Sequence, residues 1–233
     1  GKMFEWFSSG SSGAAGLDRM RAEFCQMLDA GRQVFDAATD AMLGKIDPEA
    51  IREQLFKTEK SINKSVRHLR REIVVHSTVH GPNTFPTCLV LMSVVKDAER
   101  IGDYGKNLFD LATTAPLVQD TEWRADIMQL KELISKLLSD CRDTFSTSDR
   151  DQALALISRA EKIEDRCDDQ IQRLLTEEPP KAAAYVLAYR YLKRVASHVF
   201  NVLTSVVQPV DRIDFAKKLP IVRDDDPANS SGQ

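Results

Sequence analysis

Apolar residues recur along most of this chain at alternating intervals of three and four positions, which is the spacing of one face of an α-helix. Proline and glycine interrupt the pattern at points where helices are expected to begin or end, such as Pro48, Gly81 and Pro180. No stretch of useful length alternates between apolar and polar residues as a half-buried strand does. The pattern therefore predicts an all-α protein. Its six predicted helices cover residues 17–44, 48–79, 84–114, 122–146, 149–177 and 180–209.

The apolar pattern of the third predicted helix returns in the sixth, displaced by 94 residues, so that Val94 falls on Ala188. The second and fifth helices match in the same way at a displacement of 102 residues, which places Leu55 on Ile157. Because apolar positions recur every seven residues and the connections are short, we expect sequential helices to pack antiparallel at shallow angles. The sequence therefore predicts two tandem three-helix bundles. These repeats span residues 17–114 and 122–209.

The two ends of the chain lack this helical pattern. Residues 1–16 join a small apolar cluster, Met3 to Phe7, to a stretch rich in serine, glycine and alanine that is typical of a flexible linker. Residues 211–233 are polar, and we expect this tail to be disordered. The apolar cluster either contacts a membrane or a partner protein, or is simply part of a disordered end.

The charge pattern and the cysteines narrow the class of protein. The net charge is −3 and acids alternate with bases, so the chain lacks the basic stripe of a nucleic-acid-binding protein. No apolar run reaches the roughly 20 residues that span a bilayer, and no signal peptide is recognisable. The cysteines are far apart and form no CxxC pair, which favours reduced thiols. We therefore expect a cytoplasmic protein that reaches a membrane only through its partners.

Two pairs of polar residues indicate a candidate binding site. Glu99 and Asp103 lie one turn apart on the third predicted helix, beside its apolar seam, and Glu59 and Asn63 repeat this spacing on the second. If the two helices are neighbours, partly desolvated carboxylates there cost several kcal/mol each unless a cation neutralises them. A metal ion is one such cation, and oxygen ligands favour Mg, Ca, Mn or iron. The alternative is a solvated helix face on which the acids pair with nearby bases, namely Lys60, Lys96 and Arg100.

Residues 97–107, Asp-Ala-Glu-Arg-Ile-Gly-Asp-Tyr-Gly-Lys-Asn, resemble the signature of the PhoU family, which centres on Glu-Arg-Ile-Gly-Asp. The duplicated six-helix layout over residues 17–209 agrees with this resemblance, which implies a fold of two three-helix bundles. In some PhoU proteins, Glu/Asp-x-x-x-Asp motifs hold multinuclear iron or zinc clusters on the protein surface. For this chain the resemblance implies a site for Fe, Zn, Mn or Mg ions. Its ligands would be Glu59, Asn63, Glu99 and Asp103.

The second repeat departs from this motif. Glu161 and Asp165 keep the acidic pair on the fifth predicted helix, and they are the candidate ligands of a second metal site. On the sixth helix, however, Lys193 and Ser197 replace Glu99 and Asp103. We expect the lysine to pair with Glu161 or Asp165 where the first repeat would hold a metal ion. His198, which matches Tyr104, is either an additional ligand or a structural residue.

Other chemistry in the sequence is less specific. Glu72, His76 and His80 have a spacing that suits zinc or nickel, although histidines near a helix C-terminus also complement the helix dipole. None of the four histidines follows a glutamate by three positions, which argues against a ferritin-like di-iron site. Gly102 and Gly105 belong to a helical pattern and favour close helix packing rather than a phosphate-binding loop. Because no nucleophile-and-base signature is recognisable either, we expect no enzymatic activity.

The PhoU resemblance implies a regulator of phosphate uptake and signalling that acts as an adaptor. Its expected partners are a component of a phosphate transporter or a sensor histidine kinase, and the resemblance also implies a homodimer. Two other functions remain open: an accessory subunit of a coupled phosphate permease, and a metal-dependent hydrolase or metal-storage bundle that uses Glu99 and Asp103.

Overall fold

The structure is a computed structural model that describes residues 13–214. Over these residues the chain forms the six predicted helices and no β-strand, which confirms the all-α fold of two three-helix bundles. Short 3₁₀ turns at Pro82–Thr84 and Val210–Arg212 complete the secondary structure of this range. The helices are α1 (Ala14–Met42), α2 (Pro48–His80), α3 (Phe85–Thr114), α4 (Glu122–Thr147), α5 (Arg150–Glu177) and α6 (Ala182–Val207).

Side-chain caps set the first residues of three helices. Asp47, Thr121 and Asp149 each accept a hydrogen bond from a backbone N–H in the first turn of α2, α4 and α5, at 3.0, 3.1 and 2.9 Å. Such a cap satisfies one of the N–H groups that has no partner within the helix. These local signals explain why the predicted and observed starts of α2, α4 and α5 agree within one residue.

Helices α1 and α6 differ most from the prediction, and both end two residues earlier than predicted. Helix α1 begins at Ala14 rather than at residue 17, so the N-terminal segment predicted to be flexible is three residues shorter. Helix α6 begins two residues later than predicted, because Lys181 adopts a left-handed backbone conformation with φ of 62° and so cannot lie within the helix. The remainder of the predicted flexible ends, residues 1–12 and 215–233, lies outside the described residues.

Each repeat forms one bundle. Helices α1, α2 and α3 pack together, as do α4, α5 and α6, and the bundles meet where α3 packs along α6 and α1 along α4. Buried apolar side chains from all six helices form one connected core, so the two repeats share a hydrophobic interior. Its largest fully buried side chains are Tyr185, Tyr189, Phe24, Phe35 and Phe109.

Two glycines of the predicted signature bring α3 close to its neighbours. A Cβ atom on Gly105 would lie 2.7 Å from Cγ1 of Val34 in α1, which is too close for a real contact. A Cβ on Gly102 would lie 3.0 Å from Cδ1 of Ile62 in α2. The interpretation of these glycines as close-packing residues is confirmed, and the close approach of α3 to α2 at Gly102 positions the candidate site.

The two bundles are related by an internal twofold axis. Tyr104 of α3 and His198 of α6 occupy equivalent positions in the repeats, and their rings stack with centroids 5.7 Å apart. A residue that contacts its own equivalent lies beside a twofold axis. The flanking contacts agree, because Asp97 contacts His198 while its equivalent, Tyr191, contacts Tyr104.

Candidate functional site

The candidate site lies where α2 packs against α3, and it consists of Glu59, Asn63, Glu99 and Asp103; we call these four residues the acidic cluster. Helix α2 supplies the first two residues and α3 the other two, one helical turn apart in each case. Glu59 is buried, whereas the remaining three are partly exposed. The predicted neighbourhood of the two helices is therefore present, and it leaves the cluster at the rim of the first bundle.

Glu59 has two polar partners that hold its carboxylate in place. The side-chain amide of Asn63 donates a hydrogen bond of 2.6 Å to Oε1 of Glu59. The ammonium group of Lys106 in α3 lies 3.7 Å from the same oxygen. This lysine, which helical spacing alone does not single out, links α3 to α2 and neutralises the most buried carboxylate of the cluster.

The two carboxylates of α3 pair with bases of their own helix. Lys96 forms an ion pair with Glu99, and Arg100 lies 3.2 Å from Asp103. Both pairs have the spacing of three residues that places side chains side by side on a helix. In this arrangement each carboxylate of the acidic cluster has one cationic partner.

The carboxylates nevertheless remain close enough to influence one another. Burial raises the pKa of Asp103, and the negative charges of Glu99 and Glu59 raise it further, against the opposing effect of Arg100 and Lys96. Ionised Asp103 is therefore less favourable in the folded protein than in the unfolded chain. Its contribution to stability is fully present below its unfolded pKa and is lost as the pH rises through its folded pKa.

The ligand types in the acidic cluster suit a hard divalent cation, but their present arrangement does not. Carboxylate and amide oxygens are ligands that Mg and Mn ions accept. Within residues 13–214, however, no group of three or more His, Cys, Asp or Glu side chains is placed to hold a metal ion. A metal ion here would have to displace Lys96 and Arg100, so metal binding at the acidic cluster stays a prediction.

The sequence comparison decides the family. The PhoU domain matches this chain twice, over residues 24–112 and 127–206, which include most of both bundles. The chain belongs to the PhoU family. A search of curated protein sequences finds no significant match.

Solved PhoU structures have the same fold. The crystal structure of PhoU from Pseudomonas aeruginosa is similar with a TM-score of 0.75 and 20% sequence identity, covering 82% of this chain and 95% of that one. The crystal structure of the phosphate transport system regulatory protein PhoU from Streptococcus pneumoniae gives a TM-score of 0.69 at 17% identity, covering 89% of this chain and 99% of that one. At these identities the likeness concerns the fold. Among the helices of residues 13–214, none is long and apolar enough to cross a membrane.

The second repeat of this PhoU chain contains the expected lysine ion pair, but with a different partner. Lys193 contacts Asp168 at 2.5 Å, rather than Glu161 or Asp165 as predicted. Asp165 is exposed on α5, and Asp168 lies almost one turn further along the same helix, within reach of the lysine across the α5–α6 contact. Glu161 and Asp165 therefore lack the predicted lysine partner, and metal binding by these two residues stays a prediction.

His198 does not lie with the acidic residues of the second repeat but at the junction between the bundles. Its Nδ1 atom is 2.8 Å from Oδ1 of Asp97, which also accepts a hydrogen bond of 2.9 Å from the amide of Asn201. The guanidinium of Arg194 lies 3.3 Å from Nε2 of His198. Because a guanidinium group can only donate, Nε2 accepts and Nδ1 carries the proton donated to Asp97. His198 is thus a structural link between α6 and α3.

The helical pattern alone does not predict this junction, although one feature of the repeat points to it. The displacement of 94 residues already placed Tyr104 on His198, and a pair of equivalent aromatic rings is a natural contact across an internal twofold axis. In the sequence, Asp97 is marked only as the first residue of the signature. Its burial follows from its position on the α6-facing side of α3.

Proposed function

We propose that this chain is a non-enzymatic regulator of phosphate uptake that acts in the cytoplasm as an adaptor. The match of the PhoU domain to both repeats carries the proposal. The name of the similar Streptococcus pneumoniae protein, a phosphate transport system regulatory protein, agrees with it. The proposed partner is a component of a phosphate transporter or its sensor histidine kinase, and the proposed assembly is a homodimer.

Surface features of the described residues support an adaptor. All six helices are long, between 26 and 33 residues, and offer extended faces for partner proteins. Large apolar side chains are exposed near both helical hairpin ends, including Val79 at 70% and Leu175 at 60%. Exposed apolar patches of this kind are typical of protein contacts.

Removing the gene from its own cells tests the proposed function. We expect phosphate uptake in phosphate-rich medium to rise several-fold, because a regulator that damps the transporter is lost. Uptake of labelled phosphate, with the gene returned as the control, measures this. Co-purification from the same cells identifies the partner and separates a transporter or kinase from a coupled permease. Unchanged phosphate uptake without the gene would contradict the regulatory function.

We also propose that the acidic cluster binds a divalent cation, with iron, zinc, manganese and magnesium as the candidates. Its support is the set of oxygen ligands, three carboxylates and one amide, that α2 and α3 bring together at one place. The residues that would hold the ion are Glu59, Asn63, Glu99 and Asp103, and the ion would supply the positive charge now provided by Lys96 and Arg100.

Asp103→Asn tests metal binding because it has opposite effects with and without a metal ion. With a chelator, we expect the variant to be as stable as the wild type or slightly more stable, because an unfavourable charge is removed. The gain in the free energy of unfolding should be less than about 1 kcal/mol. With added Mn²⁺, only the wild type should gain stability by linkage. Thermal unfolding and elemental analysis give both measurements.

Asp165→Asn is the matched control, because Asp165 is an exposed acid that occupies the position of Asn63 in the second repeat. It should respond to Mn²⁺ like the wild type. An equal Mn²⁺ response in wild type and Asp103→Asn would rule out the acidic cluster as the site. An equal loss of metal from Glu99→Ala and Glu161→Ala would instead show that both repeats bind.

A further inference from the structure

An apolar groove lies between the last turns of α2 and the first turns of α3. It encloses about 290 Å³, and its walls include Ile73, Val74, Phe85, Leu89 and Met92. Three of these side chains remain widely exposed: Val74 at 56%, Leu89 at 54% and Phe85 at 45%. A groove of this size suits one or two inserted side chains better than a whole partner helix.

The start of α1 lies at the same end of the α2–α3 hairpin. A Cβ on Gly13 would lie 3.2 Å from Nε2 of His76, 3.3 Å from the ring of His80 and 3.4 Å from Thr84. Thr84 is followed directly by Phe85, which forms the rim of the groove. The backbone that precedes α1 therefore enters the described structure next to the groove.

His76 supplies a second, independent observation at this point. Its side chain is buried, and its Nε2 atom has no hydrogen-bond partner among residues 13–214. Burial, with the nearby charges of His80 and Arg19, lowers the pKa of His76, so a neutral ring is favoured. A buried ring nitrogen without a partner is costly, and Nε2 lies beside Gly13, where a serine-rich stretch joins α1.

We propose that the N-terminal cluster Met3–Phe7 folds back over the end of the α2–α3 hairpin and places the side chain of Trp6 in this groove. The connecting residues 8–12 are Ser-Ser-Gly-Ser-Ser, which reach about 17 Å when extended. In the proposed docked arrangement, the hydroxyl and carbonyl groups of this stretch are available to hydrogen-bond Nε2 of His76. Docking of the cluster would cover the apolar side chains of Val74, Phe85 and Leu89, which are otherwise exposed to water.

The second bundle provides an internal comparison. Its equivalent groove, between α5 and α6, includes Leu175 and Val186, which the repeat places on Ile73 and Met92, and also the exposed Leu187. The α1 start at Gly13 instead contacts the α2–α3 end. Substitutions in the α5–α6 groove therefore control for the general effect of removing an exposed apolar side chain.

Trp6 is a direct reporter, since the chain has only one other tryptophan, the buried Trp123. The difference between the fluorescence of the wild type and of Trp6→Phe isolates the emission of Trp6 and leaves Trp123 in place. We expect this emission to be blue-shifted and protected from acrylamide. Leu89→Ser should move the docking equilibrium about tenfold toward the free segment, because apolar contact area is lost. Leu187→Ser should leave Trp6 protected.

Four results would overturn the proposal. The first is full quenching of Trp6 by acrylamide in the wild type, and the second is protection of Trp6 that Leu89→Ser does not reduce. Protection that increases with protein concentration would place a second copy in the groove. Protection that requires added phosphatidylglycerol vesicles would indicate membrane contact instead. Removing residues 215–233 should leave Trp6 protected, and circular dichroism checks that each variant is folded.

Discussion

Replacing His198 by alanine is expected to destabilise the protein by about 2–3 kcal/mol, because a hydrogen bond to a buried carboxylate is worth about that much. The Asp97 carboxylate is only 11% exposed, so water cannot replace the lost donor fully. The variant should therefore melt roughly 4–12 °C lower, given the usual shift per kcal/mol for a chain of this size. Thermal unfolding followed by circular dichroism measures the change.

Because of the position of His198, we expect its replacement by alanine to have a second effect. It links α6 to α3 across the internal twofold axis, so its loss weakens contact between the bundles more than the packing within either one. We expect the calorimetric enthalpy of the alanine variant to exceed its van't Hoff enthalpy, which is the sign of a transition that is no longer two-state.

His198→Asn is the matched control, because the asparagine amide can donate to Asp97 from nearly the position of Nδ1. It should recover more than half of the stability lost in the alanine variant. If the asparagine variant is as unstable as the alanine variant, the stabilisation comes from ring stacking on Tyr104 rather than from the hydrogen bond.

The sequence predicts the fold well because its signals are local. These signals can be recognised without information about distant contacts. They are the helical spacing, the N-caps at Asp47 and Asp149, and the prolines between helices. The wrong predictions for the starts of α1 and α6 also follow from this locality, because local signals do not report every feature of the folded structure. The entry of α1 at Ala14 depends on packing against His76, and the late start of α6 depends on the backbone conformation of Lys181. The local pattern of apolar residues predicts neither of these helix starts.

The candidate site was only partly predictable, since helical spacing determines which residues share a face but not which cation a side chain selects. The convergence of Glu59 with Glu99 and Asp103 follows from the neighbourhood of α2 and α3. Two ion pairs depend instead on how far a long lysine side chain reaches between two helices. They are Lys106 with Glu59 and Lys193 with Asp168. The burial of Asp97 depends on the contact between repeats, which periodicity alone does not specify.

Replacing Arg166 by methionine is expected to have the largest effect on stability, about 3 kcal/mol, because it leaves a largely buried carboxylate without its cation. Arg166 of α5 donates to Oδ1 of Asp126 in α4 through both Nε and a terminal nitrogen, at 3.0 and 2.5 Å. The hydroxyl of Tyr189 in α6 donates to the other oxygen at 2.8 Å. This network therefore joins the three helices of the second bundle, and the melting temperature should fall by roughly 6–12 °C.

The double variant Arg166→Met with Asp126→Asn separates the cost of an unpaired charge from the value of the contact itself. The asparagine removes the charge and still offers an oxygen to Tyr189, so we expect more than half of the lost stability to return. Lys136→Met on α4 is the control, because this lysine is 68% exposed and its ion pair should contribute less than about 1 kcal/mol. If the double variant is no more stable than Arg166→Met, the arginine acts through the packing of its side-chain stem. The unpaired charge of Asp126 would then not be the cause.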